Sequence, residues 1–120
     1  MGLDQFAFVR QPYTGREANT ELHYWRKHNR LHGWMENLYL EKGGTKEFNC
    51  QEVQLTLEDL DALEEAINNR ELPETQGFFF GNDSYEDYEG WGLKDSDLEF
   101  IEKARQAINN GNEVYYDSWW

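Results

Sequence analysis

The chain has 120 residues, 16% of them aromatic, enough to build one domain (residues 1–120) around one core of large side chains. Eleven basic residues face 24 acidic ones, for a formal charge of −13, and the imbalance sits in residues 51–120, at −14 against +1 for residues 1–50. This charge disfavours direct binding to nucleic acid, no apolar run reaches the ~20 residues that span a bilayer, and the single cysteine, Cys50, excludes an internal disulfide.

The first ten residues lack a basic start followed by a long apolar stretch, which argues against a secretory signal and for the cytoplasm. Leu3 to Val9 is rich in aromatic and β-branched residues and reads as a first strand. Phe6 and Phe8 would share one face, and Leu3, Ala7 and Val9 the other. Gln11 to Gly15 reads as a turn. Asn19 or Thr20 is a candidate cap for a helix starting near Glu21 and ending at Gly43-Gly44, with Tyr24, Leu31, Met35 and Leu38 close to one face.

Glu52 to Leu55 reads as a second short strand. Thr56 followed by Asp59 then opens a helix with Leu57, Leu60, Leu63 and Ile67 as its apolar stripe. Phe78-Phe79-Phe80, between glycines, reads as a buried strand, and Asn82 to Trp91 as an acidic, aromatic loop. Asp95, Ser96 or Asp97 is placed to cap a third helix, with Ser96 and Glu99 at capping-box spacing and a stripe of Leu98, Ile101, Ala104 and Ile108. Gly111 stops it, and Glu113 to Trp119 reads as the last strand. The stretches from Leu57 to Asn69 and from Leu98 to Asn110 echo each other at equal spacing, which shared helix grammar explains. The expected fold is α+β: a small, mainly antiparallel sheet of about four strands, first and last paired, covered on one face by about three helices.

The densest polar stretch is Trp25 to Trp34. His28 and His32 have the i, i+4 spacing of a helical metal pair, but Asn29 stands where a zincin has glutamate, and a third ligand would have to come from Cys50 or a distant carboxylate. No metal and no cofactor are therefore expected, and a hydrogen-bonded, partly buried His32 is the better reading. Arg26, Lys27 and Arg30 form the main basic cluster. Beside Trp25 and Trp34 they suit a phosphate or carboxylate, or else pair internally with the acidic half. Asp83 to Asp87 starts like a calcium loop, but Tyr88 takes the glycine position and Lys94 the bidentate glutamate. The sequence has no phosphate loop, GxSxG elbow or cysteine–histidine signature.

Met1-Gly2-Leu3-Asp4, Tyr24-Trp25-Arg26-Lys27 with Asn29, His32 and Trp34, and Leu72-Pro73, Thr75, Gly77 to Gly81 and Tyr85 to Tyr88 resemble, in order, a family of small bacteriophage and prophage proteins. The order Glu74-Thr75-Gln76 departs slightly from that pattern. The family has no established activity. Its occasional phosphoglycerate kinase label does not suit a chain this short without a nucleotide loop. The resemblance implies an accessory protein of the infected host's cytoplasm, and makes Arg26, Lys27 and His32, rather than His28, the polar centre.

Two functions compete. In one, the protein is not an enzyme and binds a basic-faced host or phage protein through Asp83, Tyr85, Glu86, Asp87, Tyr88 and Trp91. In the other, Trp25, Arg26, Lys27, His32 and Trp34 bind or hydrolyse a small molecule bearing phosphate or carboxylate, with the segment after Phe80 folded near them.

Overall fold

The computed structural model describes residues 4–11, 20–26, 28–48, 51–69, 71–72 and 93–119. Four strands and three helices lie among them: β1 (Asp4–Arg10), β2 (Thr20–Arg26), α1 (Asn29–Glu41), β3 (Val53–Leu55), α2 (Leu57–Asn68), α3 (Leu93–Asn109) and β4 (Glu113–Trp119). The strands form one antiparallel sheet in the order β2-β1-β4-β3, so the fold is α+β as expected. β1 and β4 pair along their whole length, from Asp4 opposite Trp119 to Arg10 opposite Glu113.

The largest correction concerns residues 20–26. They form a strand, not the first turns of a helix, and α1 starts only at Asn29. The physical reason is the β1 partner. Tyr24 and Trp25 point to opposite faces, Trp25 going into the core while Tyr24 stays 46% exposed beside Phe6. The register shifts between Ala7 and Phe8, which leaves Leu22 as the extra residue of β2. His28 caps α1, its side chain accepting from the Leu31 N–H. Within α1 the expected face survives as Leu31, Met35 and Leu38, all buried, and Gly43 at φ +93° follows the last turn.

In α2 the capping box is formed by Thr56 and Asp59, and Leu60, Leu63, Ala66 and Ile67 are buried; Leu57, at the first helical position, is exposed instead. α3 begins before its expected caps. Ser96 and Asp97 therefore lie inside it, and the buried stripe is Asp97, Phe100, Ile101 and Ala104. The two echoing stretches are both helical, and the expected strand Phe78 to Phe80 lies outside the described residues.

One face of the sheet buries Ala7, Trp25, Val53, Leu55, Val114 and Tyr116 against the apolar stripes of the helices. That face also carries Gln5 and Ser118, both buried. No helix of the described residues is long and apolar enough to cross a membrane.

Candidate functional site

Alternation along β1 turns Gln5 inward with Ala7, and there it joins a buried polar network. Its amide oxygen accepts from the His28 backbone N–H at 2.8 Å, and its Nε2 donates to the His28 carbonyl and to the Tyr116 hydroxyl at 3.0 Å. Because that hydroxyl accepts from Gln5, its proton is available to Nδ1 of His32, 3.0 Å away. The His32 ring stacks on Phe48, 5.1 Å between centroids. Burial alone pushes its pKa down to about 4, and burial also raises that of Tyr116.

A second branch centres on Asp97. Its carboxylate accepts from Trp25 Nε1 at 2.8 Å and from His28 Nε2 at 2.6 Å, and all three residues are buried. Since Nδ1 of His28 faces the Leu31 N–H, the proton shared with Asp97 belongs on Nε2. Sequence reasoning passed over Asp97 as a cap. The signal for it was its spacing from Phe100 and Ile101, at i+3 and i+4 on one helical face. Gln5 and Tyr116 were equally legible from strand alternation.

His23 Nε2 lies 2.8 Å from Ser96 Oγ, the first link of a nucleophile–base pair. Burial lowers the pKa of His23, whose ring packs against Trp25 at 4.6 Å and Phe100 at 5.8 Å. Among the described residues no group holds its other nitrogen. Two open grooves, of about 430 and 420 Å³, lie elsewhere and are lined by neither residue.

The expected small-molecule cluster is divided by the fold. Trp25 and His32 are buried, Trp34 packs half-buried against the core, and Arg26 is exposed on the opposite face of the sheet from Trp25. Trp25 lies in β2 and His28 caps α1, so of Trp25, His28 and His32 only His32 sits within the helix. Arg30 is buried and donates to the Leu72 carbonyl at 3.0 Å. Lys27, Cys50, the segment after Phe80 and the whole expected interface from Asp83 through Tyr85, Glu86, Asp87 and Tyr88 to Trp91 lie outside the described residues. Among the described residues no three histidine, cysteine or acidic side chains gather to hold a metal.

The sheet face away from the helices carries a dense set of aromatic and charged side chains. Its rows, read across the strands, are Trp119, Asp4 and Arg26; Asp117, Phe6 and Tyr24; Gln54, Tyr115, Phe8 and Glu21; and Glu113 with Arg10. Phe6 and Tyr24 are 5.3 Å apart, and Phe8 stacks on Tyr115 at 5.6 Å. The Arg10 guanidinium lies 4.3 Å from the centre of the Tyr115 ring and 2.7 Å from Glu52. At the other end, Asp4 accepts from the Tyr24 hydroxyl at 2.6 Å and from Trp119 Nε1 at 3.0 Å, and these bonds hold its pKa below the usual carboxylate value.

The chain matches no protein-family model, and no curated protein or solved structure is significantly similar to it.

Proposed function

We infer that this chain is a non-enzymatic protein-binding module, phage-encoded and acting in the cytoplasm of the infected cell, whose partner presents a basic face. The observation that carries the reading is the sheet face away from the helices, half-buried at Phe6, Phe8 and Tyr115 and exposed at Tyr24 and Trp119. Phe6, Phe8, Tyr24, Tyr115 and Trp119 stand there among Asp4, Glu21, Glu113 and Asp117, with only Arg10 and Arg26 of opposite sign among the described residues. Tyr24, Tyr115 and Trp119 have polar tips, and such rings surrounded by carboxylates suit a surface that binds protein and stays hydrated alone. The acidic, aromatic stretch from Asp83 to Trp91 adds the same chemistry by sequence. Conversely, the reactive groups of the interior are taken up by one another: Asp97 by His28 and Trp25, His32 by Tyr116.

The test is capture of proteins from infected host lysate on the immobilised chain, followed by binding of the purified captured protein across a salt series. Retention at low salt that weakens as salt rises is expected. Recovery of metabolites alone, with no protein retained at low salt, would sink the reading.

A hydrolytic reading has the His23–Ser96 contact behind it. It requires that a Ser96-directed fluorophosphonate label the chain, and that His23→Gln abolish the labelling.

A further inference from the structure

Arg10 shows how the open sheet face holds a guanidinium. The cation lies over Tyr115, 4.3 Å from the ring centre and 5.5 Å from that of Phe8, and a carboxylate, Glu52, completes the contact at 2.7 Å. Aromatic faces and an anion together are the two components of guanidinium recognition.

The same components recur at the opposite corner of the sheet. Asp4 is fixed between the Tyr24 hydroxyl and the Trp119 indole N–H, and both rings are open, at 46% and 59% exposure. Each oxygen of Asp4 accepts one of these bonds and keeps a second lone pair for an outside donor. Among the described residues no cation lies over either ring. Arg26, directly across from Asp4 on β2, makes no contact ion pair with it among the described residues, although its charge helps the two hydrogen bonds to hold the Asp4 pKa down.

We propose that Asp4, Tyr24 and Trp119 form a cation subsite that takes an arginine side chain from a basic protein partner lying across the open sheet face. The proposal rests on the protein-binding reading above and names where on that face the partner is anchored. Arginine suits the subsite better than lysine. Its planar guanidinium can stack on an indole or phenol ring while its edge donates two parallel hydrogen bonds to a carboxylate. Charge complementarity supports this occupant: among the described residues the face carries four carboxylates, Asp4, Glu21, Glu113 and Asp117, against two arginines, Arg10 and Arg26, and Arg10 is already held by Glu52.

The probe is a synthetic peptide of alternating arginine and serine, titrated at low salt into the full chain, with a glutamate–serine peptide as control. Binding is followed by fluorescence anisotropy and by the Trp119 indole N–H resonance. Trp119→Ala removes an exposed ring, Asp4→Asn keeps the shape of the carboxylate without its charge, and Glu102→Gln removes an exposed charge on α3, away from the face. The expected result is a shift of the Trp119 resonance on adding the arginine peptide. Trp119→Ala and Asp4→Asn should each weaken binding about tenfold, and Glu102→Gln about twofold or less. Equal, small losses in all three variants would show binding by diffuse charge. They would overturn the subsite while leaving the protein-binding reading intact. If the arginine peptide does not bind at low salt at all, the subsite and the basic-partner reading fall together. The isosteric Asp4→Asn, checked for an unchanged thermal melt, guards against a loss caused by misfolding.

Discussion

The residues that matter most to the interior are polar. Asp97 is buried as the acceptor for two buried donors, Trp25 Nε1 and His28 Nε2. Asp97→Ala leaves both donors without it, and should cost about 3 kcal/mol or more in chemical unfolding. A loss under about 1 kcal/mol would mean that other groups or water replace the carboxylate. His32 gives a pH signature whose sign can be worked out. Its folded pKa is about 4 against an ordinary value of 6.5, so the unfolded chain takes up the proton first as pH falls. The stabilising effect of keeping His32 neutral is thus fully present above 6.5 and lost progressively between 6.5 and 4. Over that interval it amounts to roughly 3 kcal/mol. His23, whose pKa burial also lowers, adds to the same slope. In His32→Gln, stability measured against pH should lose most of its slope in this window; an unchanged slope would show that His32 is not held neutral.

At the scale of elements, caps and periodicity decided what could be read in advance. Thr56 and Asp59 announced α2, and the structure has the reciprocal pair, Asp59 Oδ2 accepting from Thr56 N at 2.9 Å and Thr56 Oγ1 from Asp59 N at 3.2 Å. Lys42 binds the same carboxylate at 2.6 Å and ties the end of α1 to the start of α2. Thr56→Ala should lower unfolding stability by about 1 kcal/mol, and a loss near zero in urea melts would show that this cap is dispensable. The β1–β4 pairing was legible from two aromatic, alternating segments. β2 was not, because Thr20 resembles a cap and Tyr24, Leu31 and Met35 happen to fit a helical period. What decides residues 20–26 is a nonlocal effect, the pairing of Tyr24 with Phe6 and Trp25 with Gln5, which no window of the local sequence contains. The same limit applies to the candidate surface. The aromatics of β1 and β4 were visible, but their assembly with Tyr24 into one face follows from the register alone. Asp97 was misread because a carboxylate near a helix start is usually a cap, and its partners come from β2 and from the cap of α1.

At the scale of the whole molecule, charge and metal make separate predictions. A chelator should leave the melting temperature unchanged, since the two histidines at helical metal spacing are taken up by Asp97 and Tyr116. A large fall would point to ligands drawn from the rest of the chain. Salt should act in two opposite directions. The chain carries −13, concentrated in residues 51–120. The described ion pairs of Arg105 with Asp61 and Glu64 and of Lys42 with Asp59 offset only part of that excess. The domain measures 41 × 28 × 24 Å, comparable with the Debye length of about 30 Å at ~0.01 M salt and well beyond the length of about 10 Å at ~0.1 M. Adding salt therefore screens repulsion across the folded chain and should raise its melting temperature. The same screening weakens attraction to a basic partner, so the dissociation constant should rise over the salt range in which the isolated protein becomes more stable. Differential scanning fluorimetry and partner titration in matched buffers measure the two trends. A melting temperature that falls with salt would mean that the ion pairs outweigh the net repulsion. Binding that does not weaken with salt would place the affinity in the aromatic rings of the sheet face and not in its carboxylates.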